Sequence, residues 1–218
     1  APTLFATYAT MPPAPFLLLH YGYMGHVVAA KQKRRRNTRL LEEALPGAPT
    51  NQAAYYQFQL GREYLIQGDV DRGVTTLREV LPRTDRSFHP TVVKLLCEAY
   101  LRSAHPDAVL DLLAEQLDRY PDFTDLYYIK AQALAAKGDG PGAIENLLHC
   151  TVMGDAPARY EHTVGVGTSL ALTGLAEVYW GIGARDDALI LARTAAEQHA
   201  YRPARDLLER WTRQEEER

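Results

Sequence analysis

The side chains most able to do chemistry cluster near the start of the chain, where Lys31, Lys33, Arg34, Arg35, Arg36 and Arg39 form the run KQKRRRNTR. Such a cluster can neutralise phosphate groups, hold a nucleic-acid backbone, or simply cover a solvated helix face or meet an acidic neighbour. Nucleic acid is disfavoured, because no aromatic interleaves the cations to stack on bases. A membrane-surface helix is disfavoured too, since Trp, Phe and repeated Leu are missing opposite them. Elsewhere the chemistry is thinner. Glu42, Glu43, Glu63 and Glu115 have no neighbour that would complete a catalytic pair, and the seven histidines are scattered. No phosphate-binding glycine loop, HExxH or nucleophile elbow occurs. Cys97 and Cys150 form no CxxC pair, which points to small core residues rather than zinc ligands or a disulfide. The expectation is a chain with no self-contained active site and no metal or cofactor of its own.

What must position these groups follows from composition. The 218 residues are 46% hydrophobic and 23% charged, enough apolar material for one domain or two small ones with a sizeable core, which excludes disorder. The charge is uneven. Residues 1–40 hold six Lys and Arg with no Asp or Glu, whereas the other 178 hold 18 Lys and Arg against 27 Asp and Glu. The most apolar stretch, residues 16–19, is too short to span a membrane, and the cations follow it rather than precede it, so secretion gets no support and a cytoplasmic protein is expected.

The acidic body repeats itself. Residues 57–64 read QFQLGREY, residues 127–134 YYIKAQAL and residues 172–179 LTGLAEVY, each followed by a Gly and a second segment. A small residue (Gly61, Ala131, Ala176) precedes a larger one by three positions (Tyr64, Leu134, Tyr179); then come a Gly (Gly68, Gly138, Gly183) and another small residue (Gly73, Ala143, Ala188). A fourth copy runs over residues 91–120, with Cys97 and Tyr100 in the first two places, Ala108 closing the pattern one residue early and SAHPD as its turn. The markers Gly73, Ala108, Ala143 and Ala188 are spaced by 35, 35 and 45 residues. Two helices crossing closely need Gly or Ala at the contact, with a larger side chain one turn away to fill the gap.

This pattern resembles the tetratricopeptide repeat, over about residues 54 to 200. Gln57 stands where the repeat usually has Trp, and Gly73 where it has Ala. The resemblance implies an all-α superhelical solenoid of about four helix pairs over 51–218. The longer last spacing predicts an inserted loop at 153–168, and residues 202–218, with Leu207, Leu208 and Trp211, predict an amphipathic capping helix. By spacing, the concave surface of first helices would present Tyr55, Phe58, Arg62 and Leu65, then Asp125, Tyr128 and Gln132, then Thr173, Glu177 and Trp180. The mixture of aromatics with both signs of charge suits a protein or peptide partner; packing is the competing reading for each aromatic. Phe58 and Arg62 stand where some repeats of this kind place the Lys and Asn that clamp a terminal carboxylate, so that mode is not expected.

Residues 1–50 differ and read as a junction: FLLLH suits a short strand, YGY a turn, and a basic helix fits 24–45 before the stop PGAP. His20, Gly22 and Tyr23, then Lys33, Arg36, Asn37, Leu40 and Leu41, then Leu60, Gly61, Arg62, Glu63 and Tyr64 together resemble the junction of bacterial family 2 glycosyltransferases that carry C-terminal tetratricopeptide repeats. That resemblance implies an N-terminal glycosyltransferase domain before residue 1, with its own Asp-x-Asp motif and a divalent cation, Mg or Mn, holding the donor diphosphate. His20 would approach the metal or diphosphate, and Lys33 and Arg36 would close over the phosphates. Asp69-Val70-Asp71 is not that motif, because it opens a helix, where Asp acts as an N-cap. The alternative is a freestanding binding scaffold with no enzymatic role. The apolar segment PPAPFLLLHYGY wants a partner, either that domain or a second copy in a homodimer.

Overall fold

The computed structural model describes residues 33–83 and 85–216, so the strand-and-turn segment, His20 and the start of the basic helix lie outside the described residues. Ten α-helices follow in order: α1 (Lys33–Ala44), α2 (Thr50–Gln67), α3 (Val70–Val80), α4 (His89–Arg102), α5 (Pro106–Gln116), α6 (Thr124–Ala136), α7 (Gly140–Met153), α8 (Ala171–Gly181), α9 (Arg185–Gln198) and α10 (Arg202–Glu216). Among the described residues there is no strand, and no helix is long and apolar enough to cross a membrane.

The repeat markers are the helix contacts. A Cβ on Gly61 of α2 would stand 3.3 Å from the Gly73 carbonyl oxygen of α3, and one on Gly73 would stand 3.2 Å from the Gly61 carbonyl. Cys97, Ala131, Ala143, Ala176 and Ala188 are buried in the corresponding crossings of α4/α5, α6/α7 and α8/α9. Only small side chains permit backbones to approach this closely. Each first helix then ends in the same way. Gly68, Gly138 and Gly183 take left-handed φ of 86°, 82° and 88°, and the next amide donates back to the carbonyl of the marker residue: Asp69 to Tyr64, Asp139 to Leu134 and Ala184 to Tyr179, at 2.9–3.0 Å. Asp69 and Asp139 cap the second helices by accepting from the Arg72 and Gly142 amides at 3.2 and 2.9 Å.

The second repeat makes the identical turn without glycine. Ala104 sits at φ 57°, and the His105 amide donates to the Tyr100 carbonyl at 2.9 Å. A Cβ at positive φ is strained, so Ala104→Gly is expected to stabilise the chain by about 0.5–1 kcal/mol once the entropy of the added glycine is set against the relief. Urea unfolding of the two proteins checks this; a less stable Ala104→Gly variant would contradict it.

The described part of the basic helix, α1, lies on the first repeat, with Asn37 donating to Glu63 at 3.1 Å, Gln67 donating to Thr38, and Glu42 accepting from the Tyr64 hydroxyl at 2.7 Å and from Arg72 at 2.8 Å. Its pairing face comes from short polar side chains, which an apolar pattern does not register. The inserted connection is shorter than 153–168, because Met153 still belongs to α7 and residues Val166–Leu170 form a π-turn that runs into α8. Gly and Thr at 165–168 look like loop residues, yet Gly165 supplies the left-handed entry to that turn at φ 89°.

The main core, formed around Phe58, Leu77, Leu96, Phe123 and Leu126, joins the first three repeats. The last repeat is closed by α10, whose Leu207 and Trp211 are buried. Trp180 stacks on Trp211 at 4.3 Å and an interplanar angle of 3°. Cys97 and Cys150 are buried free thiols whose burial pushes their pKa up, Cys150 to about 12. Both side chains are part of the packed core.

Candidate functional site

The first helices α2, α4, α6 and α8 line the inner face of the solenoid, and residues 154–165 cross part of it as a strap. Buried Asp125 of α6 holds the strap from beneath: its Oδ1 accepts from the Thr163 amide at 2.8 Å and from Lys94 of α4. Lys94, 8% exposed, also donates to the Thr163 hydroxyl at 2.8 Å and the Glu161 carbonyl at 3.2 Å. Arg62 of α2 grips the Glu161 carboxylate through both terminal nitrogens, joining residues 99 apart in sequence. Tyr160 stacks on Phe123 at 4.4 Å and donates to Asp122 at 2.7 Å, and Asp155 accepts from the Gly165 and Gly167 amides at 2.8 Å each. Ala156 is buried in the main core. The strap thus lies on the inner face at α2, α4 and the start of α6.

Beyond the strap the face stays open. Between α6 and α8 lies a groove of about 410 Å³, lined by Tyr128, Ala131, Gln132 and Ala135 on one side and by Gly174, Glu177, Val178 and Ile182 on the other. Leu147 of α7 lies in its floor. The small residues make the space: a Cβ on Gly174 would meet Leu147 at 3.0 Å and the Tyr128 ring at 3.7 Å. Burial pushes the Tyr128 hydroxyl up to about 12, helped by the nearby Glu177 carboxylate, so Tyr128 is a neutral donor. Burial likewise raises Glu177, against the pull of the Arg210 charge.

The residues expected on the concave surface therefore have different fates. Tyr128, Gln132 and Glu177 come together in the open groove. Arg62 is on the inner face but engaged by the strap. Phe58 and Asp125, at 3% and 2% exposure, are not accessible surface: Phe58 stacks on Phe88 at 4.8 Å and Asp125 is the strap's anchor. Helical spacing places a residue on a face but not above or below a covering segment. Leu65 is buried, Tyr55 is half exposed near Phe58, and Trp180 packs on the capping helix. Of the basic-helix residues, Arg36 is exposed on α1. Sequence reasoning missed Lys94, Glu161 and Thr163, and the only signal for them was the ten extra residues in the last repeat spacing.

Solved structures share this architecture. A crystal structure of MamA superposes with a TM-score of 0.63 at 18% identity, covering 84% of this chain and 97% of that one. TTC0263, a thermophilic tetratricopeptide-repeat protein of Thermus thermophilus, superposes at 0.61 with 20% identity, covering 85% and 93%. No protein-family profile and no curated protein matches the chain. The chain is an all-α tetratricopeptide-type solenoid.

Proposed function

We propose that the chain is a polypeptide-binding module whose ligand occupies the groove between α6 and α8. The observation that carries this reading is the division of the inner face: the strap engages α2, α4 and the start of α6, and the open space between the rest of α6 and α8 holds Tyr128, Gln132 and Glu177 around an apolar floor. Concave solenoid surfaces suit extended chains because successive first helices present side chains at regular intervals. The test is an array of defined 12-residue peptides probed with the purified chain and with Ala135→Trp. Ala135 is exposed and lines the groove, so the indole fills the space without disturbing the core. Ala135→Trp is expected to weaken peptide capture at least tenfold; capture unchanged by it, or absent from the array, would overturn the reading.

A finer reading makes this module the C-terminal acceptor-recognition or assembly region of a family 2 glycosyltransferase. What supports it is the run of matching residues from His20 to Tyr64, together with the bond from Asn37 to Glu63 that ties two of those motifs into one unit. On this reading His20, Lys33 and Arg36 act only beside a nucleotide-sugar domain, and the 218 residues alone turn over no nucleotide sugar. The coding sequence upstream of residue 1 decides it: a parallel-sheet domain with Asp-x-Asp is expected, and robust turnover by this chain unaided would contradict it. The freestanding scaffold remains the alternative and needs no such domain.

A further inference from the structure

We propose that the groove between α6 and α8 selects a basic side chain, lysine or arginine, of an extended polypeptide. The inference rests on the peptide-binding reading and names what that groove recognises. Among the described residues Glu177 is the only charged side chain lining the groove, and it forms no ion pair there. The Arg210 charge on α10 opposes the rise of the Glu177 pKa. Glu177 is exposed on the groove wall, so its carboxylate is open to a cation that a ligand brings, and a charge-assisted hydrogen bond would hold it there. The surroundings fit the rest of such a side chain. Val178, Ile182 and Leu147 offer aliphatic walls for a methylene stem, and Ile182 is 59% exposed with nothing covering it. The Gln132 amide oxygen and Tyr128 hydroxyl supply neutral acceptors for the remaining N–H groups, and the Tyr128 ring offers a π face.

An acidic or carboxylate-terminated ligand finds no cation there, because no Lys or Arg among the described residues lines the groove. The inner face's own cation in the first repeat, Arg62, is already held by Glu161. The recognition polarity is thus the reverse of a carboxylate clamp.

The experiment uses the whole chain and four fluorescein-labelled, N-acetylated, C-amidated 11-residue peptides with one Leu/Ala/Ser host and Lys, Arg, norleucine or Glu at the centre. Norleucine keeps the stem and removes the charge. By fluorescence anisotropy the Lys and Arg peptides are expected to bind at least tenfold tighter than the other two. Glu177→Gln is expected to bring the Lys peptide to the norleucine level while norleucine binding stays unchanged; Glu177 reaches solvent from its helix, so folding is safe. A Lys-to-norleucine ratio unaltered by Glu177→Gln, or equal binding of the Glu peptide, would overturn the proposal while peptide binding sensitive to Ala135→Trp stands. Failure of all four peptides, together with an empty 12-residue array, would remove the peptide-binding reading and this inference with it.

Discussion

Lys94→Met is expected to destabilise the protein by about 3–5 kcal/mol, because it leaves Asp125 charged and buried with its cation gone. Methionine keeps the stem volume, so packing changes contribute little. The effect should concentrate in the strap. The amides of Thr163, Gly165 and Gly167 are held by the carboxylates of Asp125 and Asp155, and their hydrogen-exchange protection should fall first. Acid should shrink the deficit. Burial raises the Glu98 pKa and Lys94 opposes that rise, so in the variant Glu98 moves further up. An acid whose folded pKa is raised destabilises the fold above that pKa and is relieved as pH falls through it toward the unfolded value. The double variant Lys94→Met/Asp125→Leu removes the orphan charge but still leaves the Thr163 amide unpaired. It is expected to recover most, and not all, of the loss. Urea unfolding of both variants at pH 7.5 and 5 checks the set; a near-neutral single variant would show the pair to be dispensable.

Gly167→Ala is the second large effect, about 3 kcal/mol or more. An added Cβ would stand 2.0 Å from the carbonyl carbon of Gly154 and 2.4 Å from its Cα and oxygen, and backbone cannot step aside as a side chain can. Gly154 is itself confined: φ 73° and ψ −170° lie in a region almost reserved for glycine, and its carbonyl accepts from Thr124 at 2.7 Å. The two glycines therefore pin together the points where the chain leaves α7 and re-enters toward α8. Gly181→Ala is the control, since a Cβ there meets nothing within 4 Å, and it should be nearly neutral. Comparing the thermal unfolding of the two variants tests the assignment; equal behaviour would contradict it.

The repeats were legible because their cause is local. A small residue at the crossing, a marker residue one turn on and a left-handed glycine recur at fixed offsets, and each acts on neighbours within a few residues. That logic reached the second repeat even though Ala104 replaces the glycine, since the bond from His105 to Tyr100 makes the same turn. It failed where contacts run between distant segments. Phe58 and Asp125 occupy inner-face positions by helical spacing, yet one is core and the other anchors a strap arriving from 38 residues away. Nothing in residues 153–168 announces that Glu161 will meet Arg62 across 99 positions, because charged pairs carry no periodic signal.

The sequence alone determined an all-α solenoid of four helix pairs with a closing helix, since close helix crossings, glycine turns and an amphipathic end are properties of short stretches of chain. Only the tertiary structure decided which part of the inner face is open. The strap's course is set by Lys94, Asp125 and the backbone contact of Gly154 with Gly167, and these interactions exist only after the repeats have stacked. The same stacking brings Tyr128 and Glu177, residues of different repeats, to opposite walls of one groove.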